Sequence, residues 1–117
     1  MITLLSWGYK FGRPPANFAF DVSFLKNPWR VKELRGASKK TVLKFMKEQK
    51  EFEELITAFV NLISIYYYLW PEETLVFAFC CSAGEYRSPI VVEVLYQELK
   101  KVVIPVQIKH TSNLKWS

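Results

Sequence analysis

The sequence predicts an α/β fold: a small mixed, mostly parallel four-stranded sheet with helices packed on it, in the order β-β-α-α-β-α-β. Three observations carry this. "TLVFAFC" (74–80) is a continuous apolar run of strand length, which is how a central strand buried on both faces reads. A strong helix signal follows it, and then a β-rich run, so the chain closes with strand–helix–strand, the parallel crossover unit. Ahead of it, residues 38–70 place apolar side chains at helical spacing. The 117 residues are expected to form a single domain, 1–117, with one core and no need of disulfides or a structural metal.

Taken in order, "ITLLSWGY" (2–9) reads as the first strand, ending near Gly8. "KFGRPPAN" is a loop punctuated by Gly12 and Pro14-Pro15. "FAFDVSFL" (18–25) alternates and reads as the second strand, followed by an irregular stretch broken at Asn27-Pro28 and Gly36. Ser38 has the chemistry of a helix N-cap. Val42, Phe45 and Met46, then Phe52, Leu55, Ile56, Phe59, Leu62, Ile63 and Tyr66, follow at helical intervals up to Trp70-Pro71. The stripe pauses across "KEQKE", so two helices with a break near Gln49 are predicted rather than one. "SPIVVEVLYQELKK" opens with Ser88 as N-cap and Pro89 at the first helical position. "VVIPVQIKH" is the last strand, and Pro105 places it at an edge or a bulge.

Bulk properties narrow the function. Half the residues are apolar and 23% are charged, an ordinary globular composition. No apolar run reaches the roughly 18 to 20 residues of a membrane span, and "MITLLSWGYKFG" lacks a basic leader and cleavage site. The two cysteines are neighbours, which seldom bridge, so a reducing cytoplasm is the expected compartment. The net charge of +5 admits an anionic partner, either a phosphorylated small molecule or RNA. The lysines are scattered, as on a solvated surface. Adjacent cysteines and a single histidine do not have zinc-ligand spacing, and no G-x-x-x-x-G-K-[ST] occurs. No cofactor is expected.

The most informative stretch is "CCSAGEYRS" (80–88), between a buried strand and a helix start. The first N–H groups of a helix lack intrahelical acceptors and carry the positive end of the dipole, so they form an anion site before any side chain is added. Arg87 can offer a bidentate fork to phosphate oxygens. Ser82 and Ser88 offer hydroxyls, and Gly84 lets the backbone take positive φ and approach a ligand. Cys81 precedes Arg87 by Cys-x5-Arg, the pattern of cysteine-dependent phosphatases. Such an enzyme needs a general acid, and Asp21 is the only aspartate in the chain. On that reading Cys81 is the nucleophile, Arg87 the clamp and Asp21 the acid. On the alternative readings the loop holds an anion without chemistry, or Arg87 caps neighbouring carbonyls and Asp21 orients backbone or pairs with a cation. Cys80 is expected to point away from Cys81 and to be buried. Lys10, with Arg13, could extend the anion site, and His110, the only histidine, is either a ligand group or a surface residue. Trp29 and Tyr66-Tyr67-Tyr68 invite base stacking, but the tyrosines lie on a helix and point in different directions, so core packing or a partner interface fits better.

Four blocks in order resemble the C-terminal domain of the RapZ family of RNase adapter proteins. They are "WGYKFG" (7–12), "FDVSFLKNP" (20–28) with "ELR" (33–35), "CCSAGEYRS" (80–88), and Lys109-His110 near the end. The resemblance covers nearly the whole chain and implies a stand-alone version of a domain that binds glucosamine 6-phosphate beside the cysteine loop. It implies that Cys81, Ser82, Ala83, Gly84, Arg87 and Ser88 hold the phosphate, that Asp21 contacts the sugar, and that Lys10 and His110 lie nearby. It also implies RNA contact by the full-length proteins and a homo-oligomer assembled through this domain. Glu85 and Tyr86 stand where the family has basic and histidine positions, Ser23 replaces an arginine, and Trp29 stands where a histidine follows "NP". The basic tail of the family is reduced to "HTSNLKWS" (110–117).

Overall fold

The protein is described from a computed structural model over residues 1–112; residues 113–117 of the terminal segment lie outside the described residues. The strands are β1 (Ile2–Gly8), β2 (Phe18–Asp21), β3 (Leu75–Cys81) and β4 (Val106–His110). The helices are α1 (Lys39–Lys47), α2 (Phe52–Leu69) and α3 (Arg87–Lys101). The expected element order is observed. The sheet runs β2-β3-β1-β4, and every neighbouring pair is parallel.

Strand position follows from composition. "ITLLSWG" and "LVFAFCC" are nearly continuous apolar runs, and these two strands are central and buried along almost their whole length. "FAFD" and "VQIKH" alternate, and they form the two edges. Pro105, just before β4, accordingly sits at an edge.

All three helices pack on one face. Ile2, Leu4, Phe77 and Phe79 from the strands meet Met46 of α1, Ile56 and Ile63 of α2, and Ile90 and Leu95 of α3 in one core. The opposite face carries a small apolar cluster of Leu5, Ala78 and Cys80, packed by Trp7, Val76 and Ala16. This asymmetry follows from handedness. The α1–α2 connection and α3 carry the chain across the sheet in one direction, whereas β1 to β2 runs the other way, so a right-handed crossover must pass over the other face. That passage is the 9–17 loop. Asn17 ties it to β3 by donating its N–H to the Val76 carbonyl (3.0 Å) and accepting the Val76 N–H on Oδ1 (2.7 Å).

The predicted helix break is present. Ser38 caps α1, its Oγ accepting the Thr41 N–H at 3.3 Å. Glu51 then takes the left-handed conformation (φ 68°) before α2 begins. Gln49, in the break, brackets the backbone of Lys26: Oε1 accepts its N–H (2.8 Å) and Nε2 donates to its carbonyl (3.3 Å).

Three boundaries differ from expectation by more than one residue. β4 begins at Val106 instead of Val102, because Val102 and Val103 close α3 by donating to the Leu99 and Lys100 carbonyls. β2 ends at Asp21 instead of Leu25, because the Asp21 carboxylate accepts the Ser23 N–H (2.8 Å) and turns the chain. α3 begins at Arg87, two residues ahead of Pro89, the predicted first helical position. Tyr86 occupies the N-cap position without capping the helix through its side chain, so Ser88 lies inside the first turn. Its hydroxyl is spent elsewhere, as described below.

Candidate anion site at the carboxyl end of the sheet

β1 and β3 are neighbours whose outgoing connections leave toward opposite faces. The crevice beyond their carboxyl ends is therefore the switch point at which open α/β sheets place ligands. The loop 82–86 sits there, and two glycines seat it. Gly84 has φ +73°, and a Cβ on it would come within 2.8 Å of the Gly8 nitrogen. A Cβ on Gly8 would come within 2.5 Å of the Ala83 carbonyl carbon. The loop is thus pressed backbone to backbone against the end of β1. Gly84 does adopt positive φ, but its close neighbour is the strand. Lys10 adds a strand-like bond, its N–H donating to the Ser82 carbonyl (3.1 Å), and the Ser112 hydroxyl donates to the Ala83 carbonyl (2.8 Å).

A pocket of about 430 Å³ opens beside this loop, lined by Cys81, Ser82, Ala83, Glu85, Tyr86 and Arg87 with Asn27 and Trp29. Arg87 is buried, and its guanidinium joins two segments. Nη1 donates to the Ser23 carbonyl at 2.6 Å, with the Leu25 carbonyl farther off at 3.5 Å, and Nη2 donates to Ser82 Oγ at 3.0 Å. A guanidinium has five N–H donors; these contacts use both on Nη1 and one on Nη2, and the residue also lines the pocket. Cys81 is buried, and its thiol donates to Ser88 Oγ (3.4 Å), which in turn donates to the Trp7 carbonyl (3.4 Å). Cys80 faces the other side of the sheet, is fully buried, and its thiol is pushed up chiefly by that burial. Both cysteines are free.

The remaining candidates stand at different distances from this pocket. Lys10 is exposed at its rim, with Nζ 3.5 Å from Glu85 Oε1. Asp21 is exposed at the end of β2, pairs in register with Cys80, and so projects from the face opposite to Cys81; it is not among the pocket-lining residues. Its carboxyl lies below the ordinary value because of hydrogen bonding at Ser23, with the Arg87 charge adding to this and partial burial opposing it. His110 lies on the helix-covered side at the edge strand, away from the lining residues. Its Nδ1 is 2.7 Å from Ser6 Oγ and its Nε2 is 3.1 Å from Glu93 Oε2, and Glu93 Oε1 accepts from Lys39 Nζ at 2.9 Å. Burial pushes the Glu93 carboxyl up, but the hydrogen bonds from Lys39 and His110, with their charge, outweigh it and hold the group below its ordinary value.

A larger cavity, about 740 Å³, lies at the α1–α2 break between Phe24, Phe45 and Leu55. Size does not make it the better candidate. Gln49 is committed to the Lys26 backbone, and its charged rim mixes lysines with glutamates rather than converging donors. Among the described residues no three His, Cys, Asp or Glu side chains gather as metal ligands would, and no helix is long and apolar enough to cross a membrane.

A sequence model of the RapZ C-terminal domain matches residues 1–113. The chain belongs to this family. A nucleotide-binding protein of Thermoanaerobacter sp. (strain X514) is 35% identical over 117 residues, which is 94% of this chain and 41% of the relative. A nucleotide-binding protein of Caldanaerobacter subterraneus subsp. tengcongensis shows the same identity and coverage, 35%, 94% and 41%. One from Clostridium botulinum (strain 657) is 32% identical, over 94% of this chain and 40% of its own length. The chain therefore spans about two-fifths of the length of these curated relatives.

In this RapZ C-terminal domain two site features were missed by sequence reasoning. Trp29 and Asn27 line the pocket, although Asn27 reads in sequence only as a loop residue and Trp29 as a replaced histidine or a stacking aromatic. Glu93 is the hub of the Lys39–Glu93–His110–Ser6 chain. A signal for it exists: it is the one charged residue inside the apolar run "SPIVVEVL", and a half-buried carboxylate there needs partners.

Proposed function

We propose that this domain binds a phosphorylated small molecule, of the amino-sugar phosphate kind, in the pocket beside the 81–88 loop, and serves as a sensor for it. The observation that carries the reading is the convergence of Arg87 and Ser82 on one pocket wall at the amino end of α3. There the N–H groups of Arg87 and Ser88 have no intrahelical acceptor, and the dipole favours an anion. Membership of the RapZ C-terminal domain family supports the same site. Thermal-shift titration with inorganic phosphate and a panel of sugar phosphates tests it. A ligand at about 100 times its Kd should stabilise the fold by about 2.7 kcal/mol, and Ser82→Ala and Arg87→Lys should each reduce the response. No response to any phosphorylated compound sinks the proposal.

Phosphoester hydrolysis is the second reading, favoured by the presence of Cys81 and Arg87 in one pocket. Two observations weigh against it. Asp21 projects from the other face and its carboxyl is held low, which suits a hydrogen-bond acceptor and not a proton donor. The Cys81 thiol is used as a donor to Ser88. Turnover of phosphoesters that disappears in Cys81→Ser would reverse this preference. RNA contact and self-association are further proposals for the protein; salt-dependent RNA titration and size-exclusion with light scattering test them.

A further inference from the structure

The charge of the chain is concentrated in one segment. Nine of its 16 lysines and arginines fall in residues 26–50, against two of its 11 acidic residues, so this segment is net +7. The whole chain is +5, which leaves the remainder at net −2. The fold keeps the segment together. The turn at Pro28–Arg30 packs on α1, and Gln49 ties the end of α1 to Lys26. Within α1, Val42 and Met46 are fully buried. Lys40, Lys44 and Lys47 follow at i, i+4 and i+7 and line the opposite, exposed face. Folding does not account for this stripe, since like charges three and four residues apart destabilise a helix. Of the three, Lys44 alone has a carboxylate in reach, Glu48 Oε1 at 3.9 Å, and both groups stand open to water. Among the described residues Lys26, Lys40, Lys47 and Lys50 make no ion pair.

Phe24, 69% exposed, shares a surface hollow with Phe45 of α1, Lys26 and Lys50. Glu48, Glu51 and Glu54 also border that hollow, so the positive face is centred on the α1 lysines. Glu48 borders in addition the hollow lined by Lys40, Lys44 and Lys47, so the two hollows adjoin. None of these residues lines the pocket beside the 81–88 loop. Seven of the nine cations are lysines, which supply charge without the planar fork that reads phosphate or base geometry. The outer face of one helix is also not a groove that tracks a strand. We propose that the α1 lysine face docks the domain on an anionic lipid surface, with Lys40, Lys44 and Lys47 toward the headgroups and Phe24 entering the boundary between headgroups and acyl chains. The net −2 of the remainder orients the molecule, because the same surface repels it. The apolar side of α1 is occupied by the core, so the contact is peripheral adsorption and not insertion of the helix.

Co-sedimentation of the chain with vesicles tests this, using phosphatidylcholine alone and phosphatidylcholine with about 30% phosphatidylglycerol, at about 0.05 M and about 0.5 M salt. At the lower salt, partition onto the anionic vesicles should exceed that onto the neutral ones by about a hundredfold or more, and at the higher salt the gap should largely close. The triple variant Lys40→Gln, Lys44→Gln, Lys47→Gln should lose about a hundredfold, at about fivefold for each lysine near such a surface. Its thermal midpoint at low salt should stay or rise, because repulsion within α1 is removed, so lost binding is not lost folding. Phe24→Ser should lose about fivefold or more on the anionic vesicles. Lys100→Gln, Lys101→Gln, Lys109→Gln gives the same net charge as the first triple variant and should lose less than about threefold, since these charges lie outside the face. Equal partition onto neutral and anionic vesicles, or an equal loss in the two triple variants, overturns the proposal. Salt-dependent binding of a single-stranded oligouridylate by a chain that sediments with neither vesicle overturns it as well.

Discussion

Gly8 offers a test in which the sign of the effect decides. It ends β1 with ordinary extended backbone (φ −104°, ψ 131°). In an open strand, replacing such a glycine by alanine stabilises by about 0.5–1 kcal/mol, because the unfolded chain loses freedom. Here the added Cβ would sit 2.5 Å from both the carbonyl carbon and the carbonyl oxygen of Ala83. Backbone cannot rotate away as a side-chain tip can, so the 82–86 loop must lift by about 1 Å from the strand. Overpacking of this kind costs about 1–3 kcal/mol. The net expectation for Gly8→Ala is a loss of about 1–2 kcal/mol, or about 4–8 °C in Tm for a domain of this size. Urea unfolding followed by tryptophan fluorescence and far-UV circular dichroism measures it, and phosphate titration should show weakened binding because the lifted loop carries Ser82. Neutral or increased stability with unchanged phosphate response would refute the claim that the loop is seated on β1.

Other perturbations follow from the same geometry. Val103 takes φ 59° just past α3, where Ile104 N–H donates to the Leu99 carbonyl and Val103 N–H to the Lys100 carbonyl, the bonding of a Schellman cap that favours glycine. Its side chain is 86% exposed, so Val103→Gly should gain about 1 kcal/mol in urea unfolding, with Val103→Ala gaining much less. Glu51, at φ 68° before α2, should likewise gain about 0.5–1 kcal/mol as Glu51→Gly, read by the thermal midpoint. The Glu93 carboxyl is held below its ordinary value of 4.5, so its contribution is present above that pH and is lost as pH falls through the lower folded-state value. Glu93→Gln should therefore lower stability near pH 7 by about 1 kcal/mol and flatten the acid limb below pH 4.5, measured by thermal unfolding across pH.

Much of the architecture is legible in the residues because burial imposes it. The continuous runs of β1 and β3 announce central strands, the alternation of "FAFD" and "VQIKH" announces edges, and Ser38 announces a cap. The misplaced boundaries are those where a local signal competes with a distant partner. Ser88-Pro89 looks like a helix start, yet Ser88 lies inside the first turn, where it bonds Cys81 across the loop and the carbonyl of Trp7, which is remote in sequence. The pattern at 18–25 continues past Asp21, but the Asp21 carboxylate folds the chain back on itself. Pairings such as Ser6–His110 and Glu93–His110 depend on strand register and on the crossover of α3, which no local window encodes.

Arg87 shows why the cysteine loop could not be resolved by sequence alone. A carbonyl cap and a phosphate clamp read there as rival roles, and a rival reading assumes that one donor serves one acceptor. Guanidinium geometry removes that assumption. Nη1 holds the Ser23 carbonyl and Nη2 holds Ser82, and these bonds fix the plane of a group that lines the same pocket as Cys81. In the proposed site, the cap is what positions the clamp. Breaking it, as Arg87→Lys does by replacing a rigid fork with a point charge, removes orientation while keeping the positive charge. The loss of phosphate affinity in that variant, at unchanged net charge, therefore measures how much of the site is geometry rather than simple attraction.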